Sequence, residues 1–237
     1  MNPAVRRSAA HVFVQSLEAP FLEPDDQHHL VRVLRLREQQ IVSVTDGAGR
    51  WRLCRLATGG ELIVDSDIVP EPAPSRLLTV GFAIPKADRP EWIVQKLTEI
   101  GVDRIVLLYA GHSVVRWDES KVDRQLARLT KVAREAAMQS RRTRHVELVG
   151  PVDVGTFIER EGGCGVALAE PGGQSLAFPV SCVLIGPEGG WTDTERGLSA
   201  TMVDLGDTVL RVETAALVAG VRLIDERMHD DLGPTAE

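Results

Sequence analysis

Three short apolar runs in the last third of the chain are each followed by glycines. Cys164–Ala169 leads into Glu170-Pro-Gly-Gly173, Ser181–Gly186 into Gly186-Pro-Glu-Gly-Gly190, and Thr201–Leu205 into Gly206-Asp-Thr-Val-Leu-Arg-Val-Glu-Thr-Ala215. If the runs are strands of an α/β sheet, these segments lie beyond strand carboxyl ends, where such sheets bind ligands. Glycine lets the main chain turn and approach a ligand closely, and exposed N–H and C=O groups there can hydrogen-bond an adenine ring or a ribose. One such loop is an ordinary connection. Three in 70 residues, with long stretches from Gly186 to Thr192 and from Gly206 to Arg211, exceed what a simple turn requires. Arg211 and Glu213 stand in the third. A guanidinium keeps its charge and can stabilise an anion developing on a substrate, or it can pair with Glu213 or an acid of a neighbouring helix. Glu213 can orient Arg211, accept a proton, or favour the first turn of a helix. Thr214 can hold a ligand or cap.

The common cofactor signatures are missing: there is no G-x-G-x-x-G, no G-x-x-x-x-G-K-[ST], no H-E-x-x-H and no G-x-S-x-G. A dinucleotide enzyme, a P-loop NTPase, a Rossmann-type methyltransferase, a zinc hydrolase and a nucleophile-elbow hydrolase are therefore disfavoured, and no metal is expected.

The elements that must position these loops alternate from residue 77 onward. Strands are expected at Leu77–Ile84 and Arg104–Tyr109. A helix is expected over Glu91–Ile100, with Trp92, Ile93, Leu97 and Ile100 on one side and Gly101 as C-cap, and another over Glu119–Ser140. Val152–Arg160 reads as helix, Thr192-x-x-Glu195 as a capping box, and Glu213–Met228 as the last helix. Strands alternating with helices predict an α/β fold with a mostly parallel sheet covered on both faces. Pro70-Glu-Pro-Ala-Pro74 can neither pair as a central strand nor continue a helix, which places a linker at 71–76. Before it, residues 1–70 read as short strands (Val12–Val14, Ile41–Val44, Trp51–Leu56, Glu61–Val69) around one helix, the pattern of a small β-barrel.

The 237 residues carry 27 Lys+Arg against 34 Asp+Glu, and 43% are hydrophobic, which excludes disordered and fibrous classes. The net charge of −7 hides an asymmetry. Leu30–Arg55 has six arginines against two acids and Lys121–Glu147 eight basic residues against three acids, whereas Glu188 onward has four basic residues against eleven acids. Two basic segments suit a polyanion, or are solvated helix faces. No apolar run is long enough to span a membrane. The first twenty residues lack the apolar stretch of a secretion signal. Cys54, Cys164 and Cys182 form no C-x-x-C and read as reduced thiols, so a cytoplasmic location is expected.

Ile185-Gly-Pro-Glu-Gly-Gly190 with Thr192-x-x-Glu195, then Leu205-Gly-x-x-Val-Leu-Arg-x-Glu-Thr-Ala215, resembles the ribosomal RNA small-subunit methyltransferase E family of the SPOUT (trefoil-knot) methyltransferases. Gln95-Lys-Leu-Thr-Glu-Ile-Gly-Val102, Arg134-Glu-Ala-Ala-Met-Gln-Ser140, His28-His-Leu-Val-Arg-Val-Leu-Arg-Leu-Arg37 and Asp46-Gly-x-Gly49 resemble further family segments, in the family's order. The resemblance implies a PUA-like RNA-binding barrel over 1–70 and a knotted methyltransferase domain over 77–237. It implies S-adenosylmethionine held largely by main chain at Leu168, Ala169, Glu170, Ile185, Gly186, Pro187, Glu188, Gly189, Gly190, Leu205, Gly206, Val209, Leu210, Arg211 and Thr214. It also implies a homodimer across the knot and methyl transfer to N3 of a uridine in small-subunit (16S) ribosomal RNA, free or in the assembled subunit. Arg211 and Glu213 are then the catalytic candidates, and Arg32, Arg35, Arg37, Arg141 and Arg142 the RNA-binding ones. Two other readings are a knotted methyltransferase acting on another RNA position and a non-catalytic RNA-binding assembly factor. The chain departs from the family pattern at three places: His11 stands where an arginine is usual (Arg6 or Arg7 being possible substitutes), Gly111-His112 where Glu-Arg is usual, and His145 where a proline is usual.

Overall fold

The computed structural model describes residues 2–161, 165–177, 179–198 and 201–232 and divides into two compact units. The first comprises Met1–Ala73 with Arg134–His145, the second Pro74–Ala133 with Val146–Glu237. The segment Arg134–His145, which sequence reasoning places with the C-terminal domain, thus packs with the N-terminal unit.

In the first unit, α1 (Pro3–Arg7), α2 (Pro24–His28) and a π-helical turn (His29–Val33) accompany five strands: β1 (Ala10–Phe13), β2 (Ile41–Thr45), β3 (Arg50–Leu56), β4 (Leu62–Val64) and β5 (Val69–Pro70). β1 runs parallel to β2, β2-β3-β4 is antiparallel, and β5 pairs β3. Val12, Leu17, Leu30, Val42, Val44, Cys54 and Leu56 form its core.

The second unit is a six-stranded parallel sheet, order β11-β9-β10-β6-β7-β8, built from β6 (Thr79–Ala83), β7 (Arg104–Tyr109), β8 (Glu147–Asp153), β9 (Val166–Ser175), β10 (Cys182–Ile185) and β11 (Met202–Asp204). Its helices are α3 (Arg89–Ile100), α4 (Glu119–Gln139, whose residues from Arg134 onward belong to the first unit), α5 (Val154–Glu161), α6 (Asp193–Leu198) and α7 (Val212–Leu232). Period-two alternation sorts the strand residues between two cores. Val80, Phe82, Ile105, Leu107, Val183 and Ile185 pack with Ile93, Leu97, Leu129, Ala216, Ala219 and Leu223. Ala83, Val106, Leu108, Val166, Leu168 and Leu184 pack with Phe157, Ile158 and Trp191. Both faces are covered, so the apolar runs contain few polar interruptions. The α/β, mostly parallel fold class expected from the sequence is the one observed.

Three local expectations change. β8 was not foreseen, because Gly150-Pro151 interrupts its pattern; proline is tolerated there since β8 is the sheet edge. Glu170-Pro-Gly-Gly173 is not the end of its strand. β9 pairs with β11 at Leu168, swells outward, and pairs again at Gln174 and Ser175. Trp92 leaves the buried side of α3: Ile93, Val94 and Leu97 are buried, while Trp92 is 41% exposed. Cys54 and Cys182 are free and buried, and burial pushes their thiols up to about 11 and about 12; Cys164 lies outside the described residues. No described helix is long and apolar enough to cross a membrane, and no group of three His, Cys, Asp or Glu among the described residues is placed to hold a metal.

Candidate active site

β11, β9 and β10 are neighbours in a parallel sheet, so their carboxyl ends point the same way. The glycine loops that follow β10 and β11 therefore emerge at the same edge of the sheet, and specific contacts tie them to the glycine bulge of β9, the strand between them. The Asp204 carboxylate accepts from the backbone N–H of Gly206 (2.8 Å) and of Gly172 (2.8 Å), joining the β11 end to the β9 bulge. Those two bonds hold Asp204 below the usual carboxylate range. Trp191, nearly fully buried, donates its indole N–H to the Ala169 carbonyl (3.0 Å). Gly186 lies under that ring: a Cβ there would sit 3.0 Å from Trp191, tighter than ordinary contact. Within the second loop the Gly190 N–H donates to the Pro187 carbonyl (2.8 Å). Arg196 reaches back from α6 to Glu170 (2.9 Å).

The capping box forms. Glu195 N–H donates to Thr192 Oγ1 (3.2 Å), and Glu195 Oε2 accepts from the Thr192 N–H (2.8 Å). Glu195, 7% exposed, also accepts from the Gly111 N–H (2.8 Å) through Oε1. His112 lies against the Gly189 carbonyl (3.0 Å through Nδ1); a carbonyl only accepts, so Nδ1 carries the proton. The departure at Gly111-His112 thus places two groups directly on the second loop and its capping helix.

The predicted site residues differ in their surroundings. Leu168, within β9, and Ile185, at the end of β10, are buried; Glu188, Gly189, Gly206, Val209, Arg211 and Thr214 are exposed. Ala169, Glu170, Gly186, Pro187, Gly190, Leu205 and Leu210 are half-buried. Arg211 precedes α7 and makes no ion pair among the described residues; its carbonyl accepts from the Ala215 N–H (2.8 Å). The ion pair with Glu213, the alternative role of Arg211, is not formed. Glu213, in the first turn of α7, faces Arg89 instead, Nη1 lying 3.6 Å from Oε2, and the same nitrogen lies 3.5 Å from Glu188. Glu213 Oε2 is buried with no hydrogen-bond partner. Asp88, Arg89, Trp92 and Glu213 line a cavity of about 280 Å³. Sequence reasoning missed Arg89 and Trp92. Both lie beyond the carboxyl end of β6, the parallel neighbour of β10 that leads into α3.

In the N-terminal unit, Arg32, Arg35 and Arg37 are exposed and make no ion pair among the described residues. Arg141 is different. Its guanidinium donates to the carbonyls of Val5 (2.9 Å) and Ser8 (2.8 Å) and to Ser8 Oγ (2.6 Å). Three of its five N–H donors are committed inside the unit, which gives Arg141 a structural role beside the RNA contact expected of it. Arg142 is half-buried, and its carbonyl accepts from His11 Nε2 (2.9 Å). His11 is 4% exposed and its Nδ1 meets Ser43 Oγ at 2.8 Å. Burial outweighs the Arg142 bond and lowers its pKa to about 4, so the ring is the neutral Nε2–H tautomer. Arg6 and Arg7 are exposed. His145 stacks on Phe13 (4.1 Å between centroids) and lies over Gly47, while Arg144 lies over Gly49; any Cβ at either glycine would strike them.

A parallel sheet with clustered glycine loops, in a chain that also carries a small β unit, defines a class. Residues 71–223 match the family profile described as RNA methyltransferase domain, and residues 22–65 that of the RNA methyltransferase PUA domain. The chain is 31% identical over 221 residues to ribosomal RNA small subunit methyltransferase E of Bacillus subtilis (82% of this chain, 85% of the relative). It is 30% identical over 219 residues to the Mycobacterium bovis protein of the same name (84% and 83%). In fold it resembles ribosomal RNA small subunit methyltransferase E from Neisseria gonorrhoeae bound to S-adenosyl methionine, with a TM-score of 0.71, 22% identity, and 90% and 96% of the two chains covered. The chain belongs to the ribosomal RNA small subunit methyltransferase E family.

Proposed function

We propose that this protein is an S-adenosylmethionine-dependent methyltransferase that modifies N3 of a uridine in small-subunit (16S) ribosomal RNA. The observation that carries the reading is the gathering of the glycine bulge of β9 with the glycine loops beyond its parallel neighbours β10 and β11, tied by Asp204 and Trp191, in a chain of this family. The residues suit the cofactor. A Cβ at Gly172 or Gly206 would meet nothing within 4 Å, so the main chain there is open to a ligand, while Gly186 leaves no room for a side chain beneath Trp191. Leu168–Glu170, Ile185–Gly190 and Leu205–Thr214 hold the cofactor chiefly by backbone groups. When bound, S-adenosylmethionine supplies a methyl group on a positively charged sulfonium.

The uracil N3–H is a weak acid and must lose its proton before N3 can act as a nucleophile. Arg211, exposed at the mouth of the third loop, stabilises the negative charge that spreads onto the uracil carbonyls. Glu213 receives the proton. Arg32, Arg35, Arg37 and Arg142 position the RNA through its phosphates. In this reading the loops belong to a trefoil knot, and two subunits pair across it; the exposed apolar side chains Val209 (91%), Val221 (50%) and Met228 (57%) support a buried partner surface. The protein works in the cytoplasm, on ribosomal RNA or the small subunit.

The test is mass spectrometry of 16S ribosomal RNA from cells with and without the protein, together with calorimetric titration of S-adenosylmethionine. An N3-methyluridine that disappears with the protein is expected; an unchanged modification profile would overturn the reading.

A further inference from the structure

We propose that Arg89, Trp92 and Glu213 form the subsite that receives the acceptor uracil, an assignment that rests on the uridine methyltransferase reading above. The cavity they line with Asp88 measures about 280 Å³, at the small end of ligand pockets and suited to a single base. It abuts two of the cofactor loops: Glu213 belongs to the segment that follows β11, and Glu188 of the second loop faces Arg89.

Its chemistry matches one edge of uracil. That edge presents a donor, N3–H, flanked by two carbonyl acceptors. Glu213 Oε2 is a buried acceptor with no hydrogen-bond partner, an arrangement that is costly unless something supplies the missing donor. The Arg89 guanidinium stands beside it, 3.6 Å from Oε2 and 3.5 Å from Glu188, distances that bring attraction without the geometry of a good hydrogen bond. Its N–H groups therefore remain available to a carbonyl next to N3. Trp92 supplies the third part. It is one of only ten aromatic residues, Trp, Tyr and Phe together, in the chain, yet α3 turns it away from the core formed by Ile93, Val94 and Leu97 and leaves it 41% exposed on the cavity wall. A flat apolar face beside a donor–acceptor pair is what holds an unstacked base. With uracil seated, the N3–H bond breaks, its electron pair stays on N3, and the proton passes to Glu213 Oε2. Cytosine has an acceptor at N3 and is rejected by the carboxylate; N3-methyluracil lacks the proton altogether.

The experiment titrates the cofactor-free protein with uridine, cytidine and N3-methyluridine 5′-monophosphates, and separately with S-adenosylmethionine, reading every affinity by calorimetry. Uridylate is expected to bind at least tenfold more tightly than the other two. Trp92→Leu is expected to weaken uridylate at least tenfold with cofactor affinity kept within twofold, and Glu213→Gln to erase the preference over N3-methyluridylate. Equal affinity for the three nucleotides would overturn the subsite, as would uridylate binding unmoved by Trp92→Leu. So would an Arg89→Ala variant that loses cofactor and uridylate affinity in step, since Arg89 would then serve only to hold the Glu188 loop. A wild-type protein that methylates 16S ribosomal RNA but does not discriminate the nucleotides keeps the methyltransferase reading and loses this subsite. One that neither binds cofactor nor methylates loses both.

Discussion

In the proposed mechanism Arg211 and Arg89 divide between them the work that sequence reasoning gave to one residue. Arg211 is exposed and without an ion pair among the described residues, so its charge is free to meet an anion on a substrate; Arg89 holds Glu213 and Glu188. Arg211→Ala is expected to lower the methylation rate about a hundredfold, in line with loss of one preorganised charge at a developing anion, while calorimetric cofactor affinity stays within threefold. An unchanged rate would remove Arg211 from the mechanism. His11 makes a separate prediction. Its pKa is lowered from 6.5 to about 4 in the folded protein, so between those values the unfolded chain binds a proton that the folded one refuses. The stability tied to neutral His11 is therefore complete above pH 6.5 and falls as pH drops toward 4, by about 1.4 kcal/mol per pH unit within that window. Arg141 and Glu71 are the charged neighbours and act in opposite directions. Urea midpoints at pH 7 and pH 5 should differ more for wild type than for His11→Gln; equal differences would mean that His11 is not the titrating group.

Among the elements, the short helix α6 carries more than its length implies. Glu195 accepts from Thr192 and Gly111 while buried, so Glu195→Ala would strand two backbone donors at a cost of about 2 kcal/mol. The same change should loosen the second loop, because the Gly111-His112 turn leans on Gly189. Chemical denaturation and cofactor titration of Glu195→Ala check both effects; loss of stability with cofactor affinity intact would confine Glu195 to capping. Gly186→Ala tests the β10 loop in the other direction. Its added methyl meets Trp191, which must give by a few tenths of an ångström, and that shift pulls on the bond to the Ala169 carbonyl. Weaker cofactor binding with little change in unfolding midpoint is the expected result. The capping box was legible because its residues lie three apart. The bond from Gly111 to Glu195 spans 84 residues and leaves no local signature.

At the scale of the whole molecule, the exposed apolar residues around Val209, Val221 and Met228 predict self-association. Sedimentation should report a dimer at micromolar concentration, and a monomer there would count against pairing through this surface. The basic residues of the N-terminal unit predict salt-dependent RNA affinity. Replacing Arg32, Arg35 and Arg37 together by alanine should weaken binding to 16S ribosomal RNA and flatten the plot of log affinity against log salt, since each lost phosphate contact releases fewer counterions. An unchanged slope would leave those arginines as solvated surface. Arg141→Ala should behave differently, lowering stability by leaving the carbonyls of Val5 and Ser8 without their donor.

What the sequence by itself determined follows from short-range rules. Short apolar runs marked the buried strands, Gly101 and Thr192-x-x-Glu195 marked helix ends, and the glycines that follow those runs marked the candidate ligand loops. These signals lie within a few residues of one another and survive any arrangement of the chain. Only the tertiary structure decided which distant groups meet. Strand order brings β6 beside β10, and so carries Arg89 and Trp92 from the start of α3 to Glu213 at the start of α7, more than a hundred residues away. It also turned Arg141 inward to Ser8 and made His11 a buried neutral ring, though the first had read as an RNA contact and the second as a gap in a pattern. A side chain's partner depends on how far the chain travels before it returns, and spacing along the sequence does not encode that distance.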